Sequence, residues 1–251
     1  MLIDPRNGPD HDLCASASGV FVIASVPRSG STLLARTLWE MGIGAPKEYL
    51  NPMQLRDWEV RMGRWPSRLL HRPLRARRLA LVGATWSPRR LEAHLERVRA
   101  HRSNRWFGLK IHGHHHARWR LDLEALLGEI RWIRVRREDR LGQAISWARA
   151  LASGQWVAGQ PVRQRSVVYS RGAIERRLAA IAWAEAYWDA FFRERAACVV
   201  TYEQLVSDRA ATIRRVTRWL GEGGESVPAP SLVRQADAET AIWRHRFLAG
   251  E

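Results

Sequence analysis

The chain has 251 residues, enough to bury a full core, and 46% hydrophobic residues with 13 Trp indicate a globular protein rather than a low-complexity one. Its formal net charge is +16. Only Lys47 and Lys110 are lysines, however, and the arginines follow no zinc-finger, helix-turn-helix or RNA-binding pattern. This argues against sequence-specific nucleic-acid binding and suits a polyanionic small ligand.

The first nineteen residues carry acidic side chains and no long apolar run. We expect a disordered leader over residues 1–19, with no secretory signal or transmembrane segment, followed by a single domain over residues 20–251. Cys14 and Cys198 lie too far apart to suggest a disulfide framework or a zinc site. A reducing, cytoplasmic location fits this cysteine usage.

Val20 to Met41 predicts a strand, a polar loop and a helix in direct succession. The β-branched run from Val20 ends at Pro27, and apolar residues then recur at helical spacing. The N–H groups at the start of such a helix suit a phosphate or sulfate, and Gly30 allows close approach of the backbone. The loop consists of Arg28, Ser29, Gly30, Ser31 and Thr32.

This loop differs from a Walker A motif because no lysine follows Gly30, and its cation is Arg28. The lysine that contacts the β- and γ-phosphates in nucleotide hydrolases is therefore missing. The alternative is a tight strand-to-helix turn whose serines cap the helix without binding a ligand.

The next loop, APKEYLNP, carries Glu48, a candidate general base in a loop returning over the carboxyl edge of the sheet. A surface charge paired with Lys47 or an arginine is the alternative. The basic stretch over residues 64–82 reads as a lid, a docking patch or a solvated connector. A helix is predicted over Pro88 to Arg102.

A second strand, Arg105 to His112, places Lys110 and His112 on the same side at its end, and His112 is a candidate acid, base or hydrogen-bond donor. The following GHHH run suggests a metal site. No carboxylate or cysteine is spaced to complete a ligand set, so we expect none.

A helix over Ala117 to Leu127 and a strand over Glu129 to Val135 are predicted next. The helix that follows buries a face that includes Leu151, with Ser146 off that face. Arg137, at the strand end, and Ser146 can both face a phosphate lying at the edge of the sheet. The alternative is that Arg136 and Arg137 are an exposed arginine pair and Ser146 a surface serine, which would account for these residues equally well.

The remaining chain predicts a long helix over Ala173 to Arg195 that buries Trp183, a fourth strand over Ala196 to Thr201, and a helix ending at Gly221.

Taken together, the motifs resemble those of the bacterial trehalose 2-sulfotransferase family. The similar segments run in order from Val20 to Trp243. They are PRSGSTLL, APKEYLNP, RWFGLKIH, RREDRLGQAISWARAL, VVTYEQLVSD and LVRQADAETAIW. The resemblance implies the sulfotransferase fold, a P-loop-like three-layer α/β fold with a central parallel sheet flanked by helices.

The resemblance also implies 3′-phosphoadenosine 5′-phosphosulfate (PAPS) as sulfuryl donor and 3′-phosphoadenosine 5′-phosphate (PAP) as product. The loop Arg28, Ser29, Gly30, Ser31 and Thr32 would then hold the 5′-phosphosulfate, and Arg137 with Ser146 the 3′-phosphate. Arg234 and Gln235, in the last similar segment, are further donor-binding candidates.

For the catalytic base, the resemblance leaves two candidates. Glu48 occupies the place of the family's proposed base, and Lys110 with His112 reproduces a lysine-and-histidine pattern of other sulfotransferases. We expect no metal, because Arg28, Lys110 and the loop N–H groups supply the positive charge. A sugar or glycoside acceptor and a homodimer are implied. The alternatives are a nucleotide-dependent kinase and a basic protein that binds nucleic acid or anionic surfaces.

Overall fold

The computed structural model describes residues 17, 19–55, 58–59, 86–156, 167–223, 226–229 and 238–251. The chain divides into two compact units. The first unit comprises Met1–Ile23 and Leu38–Trp132, and the second comprises Ala24–Thr37 and Ile133–Glu251.

Four strands form one parallel sheet in the order β2-β1-β3-β4. Their bounds are β1 Gly19–Ser25, β2 Trp106–His112, β3 Ile130–Arg136 and β4 Ala197–Thr201. β1 and β2 are almost wholly buried, as expected for strands covered on both faces. With helices flanking the sheet, the predicted α/β class with a central parallel sheet is confirmed.

Nine helices are defined within the described ranges. They are α1 Ser31–Glu40, α2 Pro88–His101, α3 Gly113–Trp119, α4 Leu123–Leu127, α5 Arg140–Ser153, α6 Arg171–Phe191, α7 Tyr202–Ser207, α8 Arg209–Leu220 and α9 Ala238–Leu248. Several of these helices are capped at the N-terminus by a polar side chain that accepts a hydrogen bond from a backbone N–H of the first turn. The capping residues are Ser87, Asp122, Asp139, Ser170, Thr201 and Asp208.

In the first unit, α2 buries Leu91, Leu95 and Val98 as its spacing predicts. Aromatic rings fill the space next to β2: the rings of Tyr49 and Phe107 stack with centroids 6.1 Å apart. This packing matters for function because Tyr49 follows the candidate base Glu48 directly.

In the second unit, α5 packs along α6. Arg134 of β3 lies buried and pairs with Glu185 of α6 at 2.9 Å and with Asp189 at 2.8 Å. Trp188 of α6 donates from Nε1 to the Ser25 carbonyl at the end of β1, at 2.9 Å. The end of β1 is thus tied to a long helix.

Three of the predictions are wrong in detail. Residues 117–127 form not one helix but parts of α3 and α4, because Arg120 adopts a left-handed conformation (φ 51°) and Asp122 caps a new helix. Leu151 is 51% exposed, because the second half of α5 buries Trp147 and Ala150 instead. Trp183 is 50% exposed and stacks on Tyr187, one turn along the outer face of α6.

Several predicted features lie outside the described residues. They include nearly all of the leader, the basic stretch 64–82, Cys14, and the donor-binding candidates Arg234 and Gln235. Among the helices that are described, none combines the length and the apolar character needed to cross a membrane.

Candidate active site

The loop between β1 and α1 is a tight turn that only particular residues tolerate. Ser29 N donates to the Val26 carbonyl, and Gly30 has φ +87°, the left-handed region that favours glycine. A Cβ at Gly30 would lie 2.8 Å from Cδ2 of Tyr202. Gly30 therefore serves both the turn and the close approach of α7.

Within the second unit, side chains of two helices donate hydrogen bonds to the backbone at the start of this loop. Gln143 of α5 is fully buried and donates from Nε2 to the Pro27 carbonyl at 2.8 Å. Because Trp188 holds the neighbouring Ser25 carbonyl, α5 and α6 both fix the point where Arg28 leaves the strand.

Two arginines and a serine meet beside this loop, and we call Arg28, Ser29, Arg137 and Ser146 the anion cluster. Arg28 donates from Nε to Ser146 Oγ at 2.9 Å and from Nη1 to the Trp156 carbonyl. Arg137 donates from Nη1 to the Arg28 carbonyl at 3.5 Å. The β1–α1 loop, the end of β3 and the middle of α5 each contribute to it, so the structure brings these predicted donor-binding residues together.

The anion cluster combines two guanidinium groups with buried hydrogen-bond donors. Burial and the charge of Arg137 lower the pKa of Arg28 to about 10. Ser29 Oγ and Arg137 Nε are buried and have no hydrogen-bond partner among the described residues. Buried polar atoms of folded proteins usually have partners, so a bound oxyanion fits this site.

Asp139 organises the rim of the anion cluster. It caps α5 by accepting from Gly142 N at 2.9 Å, and it pairs with Arg137 at 3.3 Å and with Arg244 of α9 at 2.5 Å. Burial alone would raise the pKa of Asp139, but the hydrogen bonds from Arg244 and Gly142 outweigh it and lower the pKa. Asp139 is therefore an ionised carboxylate that orients Arg137.

In the first unit, Glu48 is the centre of a second cluster, the carboxylate cluster of Glu48, Asn51, Lys110 and His112. Glu48 Oε1 lies 2.9 Å from Lys110 Nζ and 3.3 Å from His112 Nε2. Asn51 donates from Nδ2 to Glu48 Oε2 at 2.6 Å. Lys110 and His112 project from β2 on the same side, as the period of a strand predicts.

The surroundings of Glu48 favour its charged form. Burial by itself raises the pKa of the carboxyl group, but the charges of Lys110 and His112 and the hydrogen bond from His112 hold it well below its usual range. The Glu48 side chain is 17% exposed, so its neighbours do not enclose it completely.

The GHHH run forms the first turn of α3 and extends the carboxylate cluster with imidazole rings. The centroids of His114 and His115 are 4.0 Å apart, and that of His112 lies 5.8 Å from His114. Burial and the neighbouring charges of His114 and His112 hold the pKa of His115 well below its usual range. Within the described residues, no group of three or more His, Cys, Asp or Glu side chains is arranged to hold a metal ion.

Sequence reasoning missed two contributors. The ring of Tyr202 lies 4.6 Å from Arg137 Cζ and also backs Gly30. Its only signal was its place directly after β4, at a strand end. Asn51, three residues after Glu48, gave no signal because a short polar residue in a loop has many other roles.

The other predicted loop residues lie at the start of α1: Ser31 is buried and Thr32 is exposed. Their roles, like those of all the candidate site residues, remain predictions.

The chain was compared with known proteins. The profile of the Stf0 sulphotransferase family matches residues 20–250. Trehalose 2-sulfotransferase from Mycobacterium tuberculosis (strain ATCC 35801 / TMC 107 / Erdman) is 30% identical over 121 residues, 47% of this chain and 45% of that protein. Trehalose 2-sulfotransferase from Mycolicibacterium smegmatis (strain ATCC 700084 / mc(2)155) is 30% identical over 118 residues, 46% of this chain and 44% of that protein. These matches span less than half the length of either relative.

Two crystal structures are similar at low identity. Sulfotransferase STF9 from Mycobacterium avium has a TM-score of 0.47 at 14% identity, covering 94% of this chain and 69% of that one. Retinol dehydratase in complex with androsterone and inactive cofactor PAP has a TM-score of 0.46 at 16% identity, covering 82% of this chain and 60% of that one. Because the family profile matches residues 20–250, the chain belongs to the Stf0 sulphotransferase family, as its motifs predict.

Proposed function

We propose that the protein is a sulfotransferase that moves a sulfuryl group from PAPS to a hydroxyl group of a carbohydrate or glycoside acceptor. The observation that carries the proposal is the anion cluster, in which Ser29 Oγ and Arg137 Nε are buried with no partner among the described residues, close to the guanidinium group of Arg28. The phosphate groups at the 3′ and 5′ positions of such a nucleotide accept hydrogen bonds from these two donors.

The donor-binding roles follow the order of the motifs. Arg28, Ser29 and Gly30, with Ser31 and Thr32 at the start of α1, bind the 5′-phosphosulfate. Arg137 and Ser146 bind the 3′-phosphate. The hydrogen bond between Arg28 and Ser146 supports one continuous cluster for both groups. Arg234 and Gln235 remain donor-binding candidates outside the described residues.

The proposed reaction is an in-line displacement at sulfur. A bond forms between the acceptor oxygen and sulfur, the bond between sulfur and the 5′-phosphate oxygen breaks, and PAP leaves with the bonding electrons. Positive charge from Arg28, Lys110 and the loop N–H groups stabilises the transferring group and the leaving oxygen. Glu48 accepts the hydroxyl proton, a step worth typically about 10² to 10⁴ in rate.

Lys110 affects the strength of the proposed base, because its charge lowers the pKa of Glu48. A carboxylate that is paired with an ammonium group is ionised but is a weak base. His112, 3.3 Å from the same carboxylate oxygen, is the alternative base.

The acceptor is proposed as a sugar hydroxyl because the curated relatives are named trehalose 2-sulfotransferases. A homodimer and a cytoplasmic location belong to the same proposal and rest on the family resemblance and on the cysteine usage.

Calorimetric titration with PAP tests the proposed donor site. We expect PAP to bind at least about tenfold more tightly than adenosine 5′-phosphate, because the latter lacks the 3′-phosphate that Arg137 and Ser146 bind. Equal affinities would contradict the proposal. A kinase would instead require a divalent metal ion and ATP, and a general anion-binding surface would show salt-sensitive binding without preference for PAP.

A further inference from the structure

The loop that carries Glu48 is held at backbone carbonyl groups on both sides of that residue. Three donors from other parts of the first unit make these contacts, at 2.7–3.1 Å. They are Lys110 N to the Lys47 carbonyl, His94 Nε2 to the Tyr49 carbonyl and Trp119 Nε1 to the Leu50 carbonyl. The structure thus fixes the backbone next to the candidate base from β2, α2 and α3.

The donor to Tyr49 is unusual because it belongs to a buried ionisable pair. His94 is fully buried, and its Nδ1 lies 2.8 Å from Oε1 of Glu59, which is 1% exposed. Arg97 also donates to that oxygen at 2.9 Å. A carboxylate and a backbone carbonyl both accept hydrogen bonds. For both ring contacts to be hydrogen bonds, the pair must therefore hold one proton more than a neutral imidazole and an ionised carboxylate.

A buried ionisable pair contributes little stability on its own, and a hydrophobic pair of similar volume often does as well. The position of this pair gives it another role. Tyr49 follows Glu48 directly in the chain, and the Glu48 carboxylate keeps 2.9 Å and 3.3 Å contacts to Lys110 and His112. A shift of about 1 Å at this backbone would disrupt contacts of that length.

We propose that His94, oriented by Glu59, is a positioning residue that holds Glu48 in place through the Tyr49 carbonyl. The consequence for turnover rests on the proposed function, whereas the consequence for the contacts of Glu48 does not. His94 acts only through the loop and is not a catalytic residue.

Two amide substitutions separate the two contacts of the ring. In His94→Gln the side-chain amide can take the place of Nε2 and donate to Tyr49, and in His94→Asn it takes the place of Nδ1 and donates to Glu59. We expect H94N to lower kcat by about 10²-fold, with the donor KM changed by no more than about threefold. H94Q should restore most of kcat. V98A, which truncates a buried side chain on the same helix, controls for loss of stability.

An NMR titration of the Glu48 side-chain carboxyl group provides a readout that does not need activity. We expect the pKa of Glu48 to rise toward its ordinary value in H94N and to stay depressed in H94Q. A Glu48 that titrates in H94N as in the unaltered protein would overturn the proposal, as would equal losses of kcat in both variants. If H94N does not fold, His94→Leu, which removes both ring contacts without burying a new polar group, replaces it with the same expected changes. A protein that fails to transfer sulfuryl groups at all would contradict the proposed function and leave this titration valid.

Discussion

Arg28 donates a hydrogen bond from Nε to the Oγ of Ser146 at 2.9 Å, although the two residues lie 118 positions apart in the chain. The first belongs to the loop after β1 and the second to the second turn of α5. Their direct contact means that the groups proposed to bind the 5′- and 3′-ends of the nucleotide share one hydrogen-bond network. A substitution at either residue should therefore alter the binding of both ends of the nucleotide.

The first prediction concerns Arg137→Ala. The guanidinium group contributes charge-assisted hydrogen bonds, typically about 1.5–3 kcal/mol each, so PAP should bind about 10- to 100-fold more weakly. Adenosine 5′-phosphate should lose much less affinity. Titration calorimetry of both nucleotides measures the difference, with the exposed Arg140→Ala as a control. Equal weakening of both nucleotides would contradict a role at the 3′-phosphate.

Ser29→Ala tests the unpaired hydroxyl group in the loop. Its Oγ is buried without a partner among the described residues, so removal should leave the free energy of unfolding unchanged or raise it. PAP affinity should nevertheless fall, by about tenfold, because the group donates to the bound anion. Urea denaturation and calorimetry measure the two effects. A parallel loss of stability and affinity would indicate a structural role only.

Glu48→Gln and His112→Asn distinguish the two candidate bases. We expect E48Q to lower kcat by about 10² to 10⁴ and H112N to have the smaller effect, since the surroundings of Glu48 hold its carboxylate ionised. PAP affinity should stay nearly the same in both. Single-turnover assays give the rates, and thermal denaturation checks folding because E48Q leaves the buried Lys110 without its carboxylate partner. A larger loss in H112N would assign the proton to His112.

The buried His115 predicts a dependence of stability on pH. Its pKa is well below the ordinary 6.5, so below that pH the unfolded chain takes up a proton that the folded chain does not. Stability should therefore fall as pH decreases from about 6.5, by up to about 1.4 kcal/mol per pH unit. Urea denaturation between about pH 7 and pH 5 should show a smaller slope for H115N than for the unaltered protein. His245→Asn, at an exposed position of α9, should leave the slope unaltered.

Glu48 adds a second pH-dependent contribution at lower pH. Because its pKa is depressed, its stabilisation is complete above the ordinary value of 4.5 and is lost as pH falls through the depressed value. H115N should act mainly on the upper range, and it should also raise the lower transition slightly, because the charge of His115 is one of the causes that lower the pKa of Glu48.

Local patterns in the sequence were enough to predict the strands, most of the helices and the family. Val20 to Pro27 and Arg105 to His112 are apolar runs with clear ends, and the motifs after them are short and ordered. The sequence could not predict that Arg120 would take a left-handed conformation and split a helix, because arginine rarely does so. Nor could it predict the exposure of Trp183, which depends on which face of α6 meets α5.

The sequence allowed prediction of those site residues that lie at or directly after the end of a predicted strand. Lys110 and His112 share one face of β2, and this alone brings both to Glu48 once the loop is in place. The contacts of Tyr202 with Arg137 and of His94 with Tyr49 join residues that are 65 and 45 positions apart. No local signal marks such pairs, because each depends on how the chain packs.

The Arg244–Asp139 ion pair connects α9 to the proposed nucleotide site. Asp139 begins α5, the helix that carries Ser146, and Arg149 of the same helix pairs with Glu239 of α9 at 2.6 Å. Thermodynamic linkage is reciprocal. If the packing of α9 against α5 strengthens nucleotide binding, nucleotide binding stabilises the packing of α9 by the same free energy. The amide protons of Ala238–Leu248 should then exchange with solvent more slowly once PAP is bound, and α9 becomes a reporter of occupancy at the anion cluster.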